Sequence, residues 1–553
     1  MSDRGDLRLG QHEGVVEARL ANWAGEDFGR RLWEKDHRLW SSEPIPELTD
    51  RLGWLGLPDT MTAEVGRLTR FAREVAEEGF RDAVVLGMGG SSLAPEVYAR
   101  SFGSAFGRAA VTVLDSTHPA AVRGLAERLD PAKTLFVVSS KSGTTTETLS
   151  FYRYFWKLAE GQGRNFVAVT DPGTPLQALA RERGFREVFN APEDVGGRYS
   201  ALTPFGLLPA ALQGVDVGRL LSHGRAMAQS CRTAVAVGAN PGLRLGAALG
   251  ELALAGRDKL TFLTSHALES FPDWIEQLVA ESTGKTILAG GERRGIVPVV
   301  GEPLRAPEAY APDRFFAAIL LGGDEVAILE KQLEALVAAG HPVARFRLAD
   351  RYDLGAEMFR WQVATAAAGA VLGLNPFDQP DVQLAKELAN EAMKKSAAST
   401  RTESDAVGVT DSRALASALN GWLEGARSGD YLGIHAYLPP RPQTTEALRA
   451  LQAALQARSG LAVTLGYGPR FLHSTGQLHK GGPARCRFLQ LVDEPAEDLA
   501  VPETRYTFGT LIRAQAEGDR QALEQRGRSV LRVQLGGDDE PGLRALLAAI
   551  TTR

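Results

Sequence analysis

Between residues 83 and 189 one pattern recurs: a short, continuous apolar run rich in β-branched residues, then a loop, then a stretch long enough for a helix. The runs are Ala83-Val84-Val85-Leu86, Ala110 to Leu114, Thr134 to Val138, Asn165 to Val169 and Val188-Phe189. Pro95 to Phe102, Pro119 to Leu129, Glu147 to Ala159 and Pro175 to Arg183 lie between them. A strand without polar alternation must be covered on both faces, so the runs predict a parallel sheet between two helical layers. That is a doubly wound α/β domain.

The cadence returns at Lys259 to Leu263, Ile296 to Val300, Phe315 to Leu321 and Val343 to Phe346, and again at Tyr431 to Tyr437 and Leu461 to Leu465. Residues 1–80 carry charge, Trp and helix formers instead. The expected division is a helical N-terminal segment over 1–80, doubly wound domains over 81–235 and 236–395, and a C-terminal α/β region over 396–553. The polar stretch 394–402 reads as a linker, and Asp538-Asp539-Glu540 as a solvated turn.

The 553 residues suffice for several domains with ample cores. Two cysteines, Cys231 and Cys486, cannot supply a disulfide framework or a four-thiolate zinc site, which points to a reducing compartment. A net charge of −5 disfavours a nucleic-acid or lipid surface. No apolar h-region follows the first residues, and Trp361 to Phe377 is too short for a membrane span, so a cytoplasmic protein with a buried Ala-rich helix is expected.

Two loops concentrate the chemistry. Gly87-Met88-Gly89-Gly90-Ser91-Ser92 lets backbone approach a ligand at a helix start. With Asp115 ending the next run, it also allows a dinucleotide reading, although Ser92 stands where the fingerprint wants Gly. Ser139 to Thr148 holds Ser140, Lys141, Ser142, Gly143, Thr144 and Thr145 ahead of Glu147. The six hydroxyls from Ser139 to Thr146, at a strand-to-helix junction, form a donor array for a phosphate monoester, where a helix cap needs one or two. A Walker A loop is excluded, because Gly284-Lys285-Thr286 has Val279 where the upstream glycine belongs.

These loops resemble the sugar isomerase (SIS) fold. The motifs Gly196-Gly197-Arg198-Tyr199-Ser200, Glu281-Ser282-Thr283-Gly284-Lys285, Gly301-Glu302-Pro303 and Asn375-Pro376-Phe377-Asp378-Gln379 with Lys386 narrow the resemblance to the glucose-6-phosphate isomerase family. The segment 471–483 is similar to the isomerase half of bacterial bifunctional transaldolase/glucose-6-phosphate isomerases. The resemblance implies two SIS-type domains and interconversion of glucose 6-phosphate and fructose 6-phosphate through a cis-enediol, without metal or redox cofactor. It further implies Glu281 as the base, Arg198 as the enediolate stabiliser and Lys386 in ring opening. Gly90, Ser91, Ser140, Lys141, Ser142, Thr144, Thr145 and Gln379 become substrate contacts, and a homodimer is allowed for.

The chain departs from the family after Gly301-Glu302-Pro303, where Leu304 to Ala309 carries no histidine. Ser474-Thr475-Gly476-Gln477-Leu478-His479 looks like a displaced copy of the missing segment. His479 is therefore the expected ring-opening residue, with His473 second, supplied by the same chain or a partner subunit. The spacing of His473, His479 and Cys486 fits no common zinc pattern. An isomerase that also accepts mannose 6-phosphate, a non-catalytic sugar-phosphate sensor and a nicotinamide-dependent dehydrogenase are the alternatives.

Overall fold

The computed structural model describes residues 5–288, 290–396, 406–537 and 539–551. Its frame is three five-stranded sheets. The first runs Ala110–Leu114, Asp82–Leu86, Thr134–Ser139, Phe166–Thr170, Glu187–Asn190, parallel throughout. Strand order reverses around Asp82–Leu86 and Thr134–Ser139, whose following loops are the glycine loop and the hydroxyl loop. Open α/β sheets bind ligands at such a switch point.

The second sheet is parallel in Val343–Leu348, Arg314–Leu321, Lys259–Thr264 and Val297–Val299. Its outer strand is Asp6–Arg8, antiparallel to Val343–Leu348 with Asp6 opposite Arg345. Three residues give no periodicity to read, so the sequence shows only helices there. The helices Glu13–Gly25 and Val65–Glu77 pack into the core shared by the first two sheets, with Trp23, Trp40 and Trp54 buried.

The Ala-rich segment belongs to the helix Asp353–Leu372, buried along most of its length and ended by Gly373 at φ 71°. Gly242, Gly246 and Gly250 of the helix Pro241–Leu254 form a flat ridge against it. A Cβ there would stand 2.5–2.7 Å from Val363, Ala364, Ala367 or Val371. Among the described residues no helix is long and apolar enough to cross a membrane.

The C-terminal region is a third doubly wound unit, with its own parallel sheet in the order Val407–Gly408, Ser529–Gln534, Cys486–Val492, Tyr431–Tyr437, Ala462–Tyr467. Of the expected linker, 394–396 continue the helix Val382–Ser396 and the rest lies outside the described residues. The expected solvated turn is corrected at Asp539. It opens the helix Asp539–Thr551, is buried, and accepts a hydrogen bond from Thr444 Oγ1 at 2.5 Å.

Candidate active site

The hydroxyl loop joins Thr134–Ser139 to the helix Thr146–Leu158. Its N-cap, Thr145, makes no side-chain capping bond, so the hydroxyls are not spent on the helix end. Instead Ser140 Oγ bonds Thr145 Oγ1 at 2.9 Å and accepts from the Gly143 amide at 3.1 Å, while Ser142 and Thr144 pair at 2.9 Å. Gly143, at φ 68°, closes the turn. The loop thus presents unspent helix-start amides, the arrangement that favours an anion. Two of the expected contacts have partners within the protein. Ser140 is buried inside the loop as its brace, and the Lys141 ammonium pairs with Asp171 and the Glu193 carbonyl on the neighbouring strand's side.

Ser142, Thr144, Thr145, Thr146 and Glu147 form one wall of a cavity of about 270 Å³. The helix Val382–Ser396 closes the second side with Lys386, and the third unit closes the last with His473, Lys480 and Gln515. Glu147 is buried and its Oε1 accepts from His473 Nε2 at 2.9 Å and Gln515 Nε2 at 2.7 Å. Burial pushes the Glu147 carboxyl up. The His473 ring beside it, with Lys386 further off, outweighs burial and leaves it below the usual carboxylate range.

A second cluster adjoins this cavity. Glu281, near the end of the helix Phe271–Thr283, lies 3.3 Å from Arg198 Nη1. Arg198 is buried and held on every side: Nε donates to Ser282 Oγ at 2.8 Å, Nη1 to Gln379 Oε1 at 2.9 Å, and Nη2 to the carbonyls of Pro376 and Asp378 at 2.7 and 2.9 Å. Lys285 secures those carbonyls' loop, donating to Asn375 O and Asp378 O at 2.6 Å each. Burial draws its ammonium down to about 8. Gln277 links the clusters, its Nε2 donating to Glu281 Oε2 at 3.1 Å and to the His473 carbonyl at 2.8 Å.

The glycine loop serves this assembly more than it lines the cavity. A Cβ on Gly90 would lie 2.0 Å from the Gly197 carbonyl, and one on Gly89 2.6 Å from the His473 carbonyl. Gly90 and Gly89 therefore let the Arg198 and His473 segments close upon the sheet, and Ser91, expected with Gly90 to touch substrate, is buried beside them. Asp115 is engaged by Arg470 Nη1 at 3.2 Å, so the dinucleotide reading loses its ribose acid.

The two candidate histidines are placed differently. His479 is buried in the third unit's interior, its Nδ1 bonded to Tyr431 OH at 2.9 Å and its ring packed tilted or edge-on among His435, Phe471 and Phe488. Burial holds it well below the ordinary histidine range. His473 occupies the cavity wall in its place, within the same chain. Gln477 contacts Gly284 O and Asp381 and docks the helix Gly476–Gly481 against Gly284, turning His479 inward. Gln277, Gln515 and Lys480 had no local signal, since each gains meaning only from a segment distant in sequence. Glu147 stood out in the sequence only as the acid that follows the hydroxyls.

Comparison with known proteins gives concordant matches. The phosphoglucose isomerase family matches residues 72–297. Glucose-6-phosphate isomerase of Thermus thermophilus is 33% identical over 408 residues, 66% of this chain and 95% of that protein. The enzyme of Carboxydothermus hydrogenoformans is 32% identical over 391 residues, 61% and 83% of the respective chains. Among solved structures, a hypothetical protein from Thermus thermophilus superposes with TM-score 0.60 at 28% identity, over 70% of this chain and 99% of that one. A glucose-6-phosphate isomerase from Chlamydia trachomatis, 20% identical with TM-score 0.51 over 66% and 78%, shares the fold.

Proposed function

The chain belongs to the glucose-6-phosphate isomerase family, and from that premise we propose that it interconverts glucose 6-phosphate and fructose 6-phosphate at the site described. The observation that carries the reading is the Glu281–Arg198 pair, fixed by Ser282, Gln379 and two loop carbonyls beside an anion-binding helix start. Moving a proton between adjacent carbons needs a carboxylate near both and a cation where the enediolate oxygen charge develops. Glu281 and Arg198 answer to those roles. The arginine's tethers leave little reorganisation for the moment of reaction, which is what makes such a cation effective.

The phosphate is assigned to Ser142, Thr144, Thr145 and the amides that begin the helix Thr146–Leu158. His473 and Lys386 are the acid/base groups for ring opening, and Glu147 orients the imidazole through Nε2. This gives the 396–553 region a direct part in the site. It agrees with the similarity of 471–483 to the isomerase half of the bifunctional transaldolase enzymes, which we infer to be a likeness in isomerase machinery.

A coupled assay of glucose 6-phosphate formation from fructose 6-phosphate tests the reading, with wild type beside Glu281→Gln. Loss of a positioned base predicts a fall in kcat of roughly 10²–10⁴-fold. Equal rates would remove Glu281 from the chemistry.

A further inference from the structure

Gln515 lies on the helix Phe508–Gln525 of the third unit, is buried, and bridges two segments of the first. Its Oε1 accepts from Thr117 Oγ1 at 2.7 Å, and its Nε2 donates to Glu147 Oε1 at 2.7 Å. The two bonds fix the amide's orientation. An ionised carboxylate only accepts, so the NH₂ group must face Glu147, and the carbonyl must then take the Thr117 hydroxyl proton. The oxygen that Gln515 holds is the one that receives His473 Nε2 at 2.9 Å. A carboxylate with one oxygen pinned by a fixed amide has little freedom to rotate away from the ring.

We propose that Gln515, oriented by Thr117, is a positioning residue for ring opening: it sets the Glu147 carboxylate so that His473 Nε2 is committed to it and Nδ1 remains for proton exchange with the sugar. The inference rests on the isomerase reading above. The third unit would then contribute both the acid/base ring and the side chain that aims the ring's carboxylate. Thr117 and Gln515 lie 398 residues apart, and both are buried. The remaining charged groups sharing the cavity with Glu147 are Lys386 from the helix Val382–Ser396 and Lys480 from the helix Gly476–Gly481. Lys480 is paired with Asp519 at 2.6 Å.

The test compares Gln515→Leu, Gln515→Glu and His473→Ala with wild type on two substrates, alongside thermal unfolding. One substrate is fructose 6-phosphate. The other is 5-deoxyfructose 6-phosphate, which lacks the hydroxyl that closes the ring and whose turnover is followed by NMR. Loss of a group that orients a catalytic side chain predicts a fall of roughly 10–100-fold in kcat on the cyclic sugar. KM and turnover of the open-chain sugar should change little. Gln515→Glu keeps the shape and places a second carboxylate against Glu147, which raises the latter's pKa. The acid limb of its pH–rate profile should therefore move to higher pH, an effect that a purely structural bridge would not produce. Equal losses on both substrates, or an unmoved acid limb and unchanged cyclic turnover, would overturn the inference. If His473→Ala is selectively poor on the cyclic sugar while the Gln515 variants are not, only the positioning role falls. Full cyclic activity of His473→Ala would remove the reading beneath it.

Discussion

At the scale of single residues, the account turns on two histidines six positions apart. His473 faces a carboxylate at the cavity wall, and His479 is packed among rings with its Nδ1 committed to Tyr431. His473→Ala should lower kcat on fructose 6-phosphate by roughly 10²–10³-fold, in the range for loss of a general acid/base. His479→Ala should instead cost about 2–4 kcal/mol of stability, as a buried side chain with a filled hydrogen bond, with turnover per folded molecule nearer wild type. Paired kinetics and denaturant titrations separate the two. The pH dependence has a definite sign. Burial lowers the folded pKa of His479 from 6.5, so the folded protein binds fewer protons there than the unfolded chain. Its contribution to stability is complete above pH 6.5 and declines as pH falls below it, and His479→Phe should flatten that part of the stability profile. The nearness of Glu281 and Arg198 was legible because the residues around them form continuous motifs. Lys141 was not, since the Asp171 that takes its ammonium sits on the adjacent strand's loop and only the sheet brings them together.

The elements explain why some expected substrate contacts are structural and others remain available. The hydroxyl loop satisfies itself internally while leaving the N-terminus of the helix Thr146–Leu158 without a side-chain cap. Thr144→Val, removing one hydroxyl at the cavity wall, should raise KM for the phosphosugar by roughly 10-fold, the scale of a hydrogen bond to a charged group, with kcat little changed. Steady-state kinetics on both parameters check this. Gly284 shows the opposite kind of constraint. A Cβ there would lie 2.3 Å from Leu478 Cα, so the helix carrying Glu281 and the helix Gly476–Gly481, just after His473, approach through a position where only glycine fits. Gly284→Ala should cost about 1–3 kcal/mol, read as a lowered midpoint in thermal unfolding. Most strands were legible because buried parallel strands are unbroken apolar runs. Asp6–Arg8 was not, being three residues whose place is set by the partner strand Val343–Leu348.

At the scale of the whole molecule, three segments far apart in sequence converge on one site. The first sheet supplies the hydroxyl loop and Glu147, the second the Glu281 helix, and the third His473, Lys480 and Gln515. The β-α-β cadence announced the third unit's architecture, but its role depends on docking contacts that no local pattern records. Arg470, three residues before His473, reaches Glu96 and Asp115 beside the glycine loop and lies 3.6 Å from Asp273 on the base's helix. Glu302 of the Gly-Glu-Pro motif accepts from Arg314 at 2.7 Å and from Gln456 and the Val463 amide of the third unit at 2.9 and 2.8 Å. The Gly-Glu-Pro motif thus anchors the third unit, whose His473 meets Glu147 within the same chain. We therefore propose that each chain carries a complete isomerase site. It is tested most directly by co-expressing Glu281→Gln and His473→Ala chains and measuring fructose 6-phosphate turnover of the mixture. The account predicts a rate no higher than the two variants give separately, whereas recovery toward wild type would show the base and the histidine meeting across two chains and contradict it.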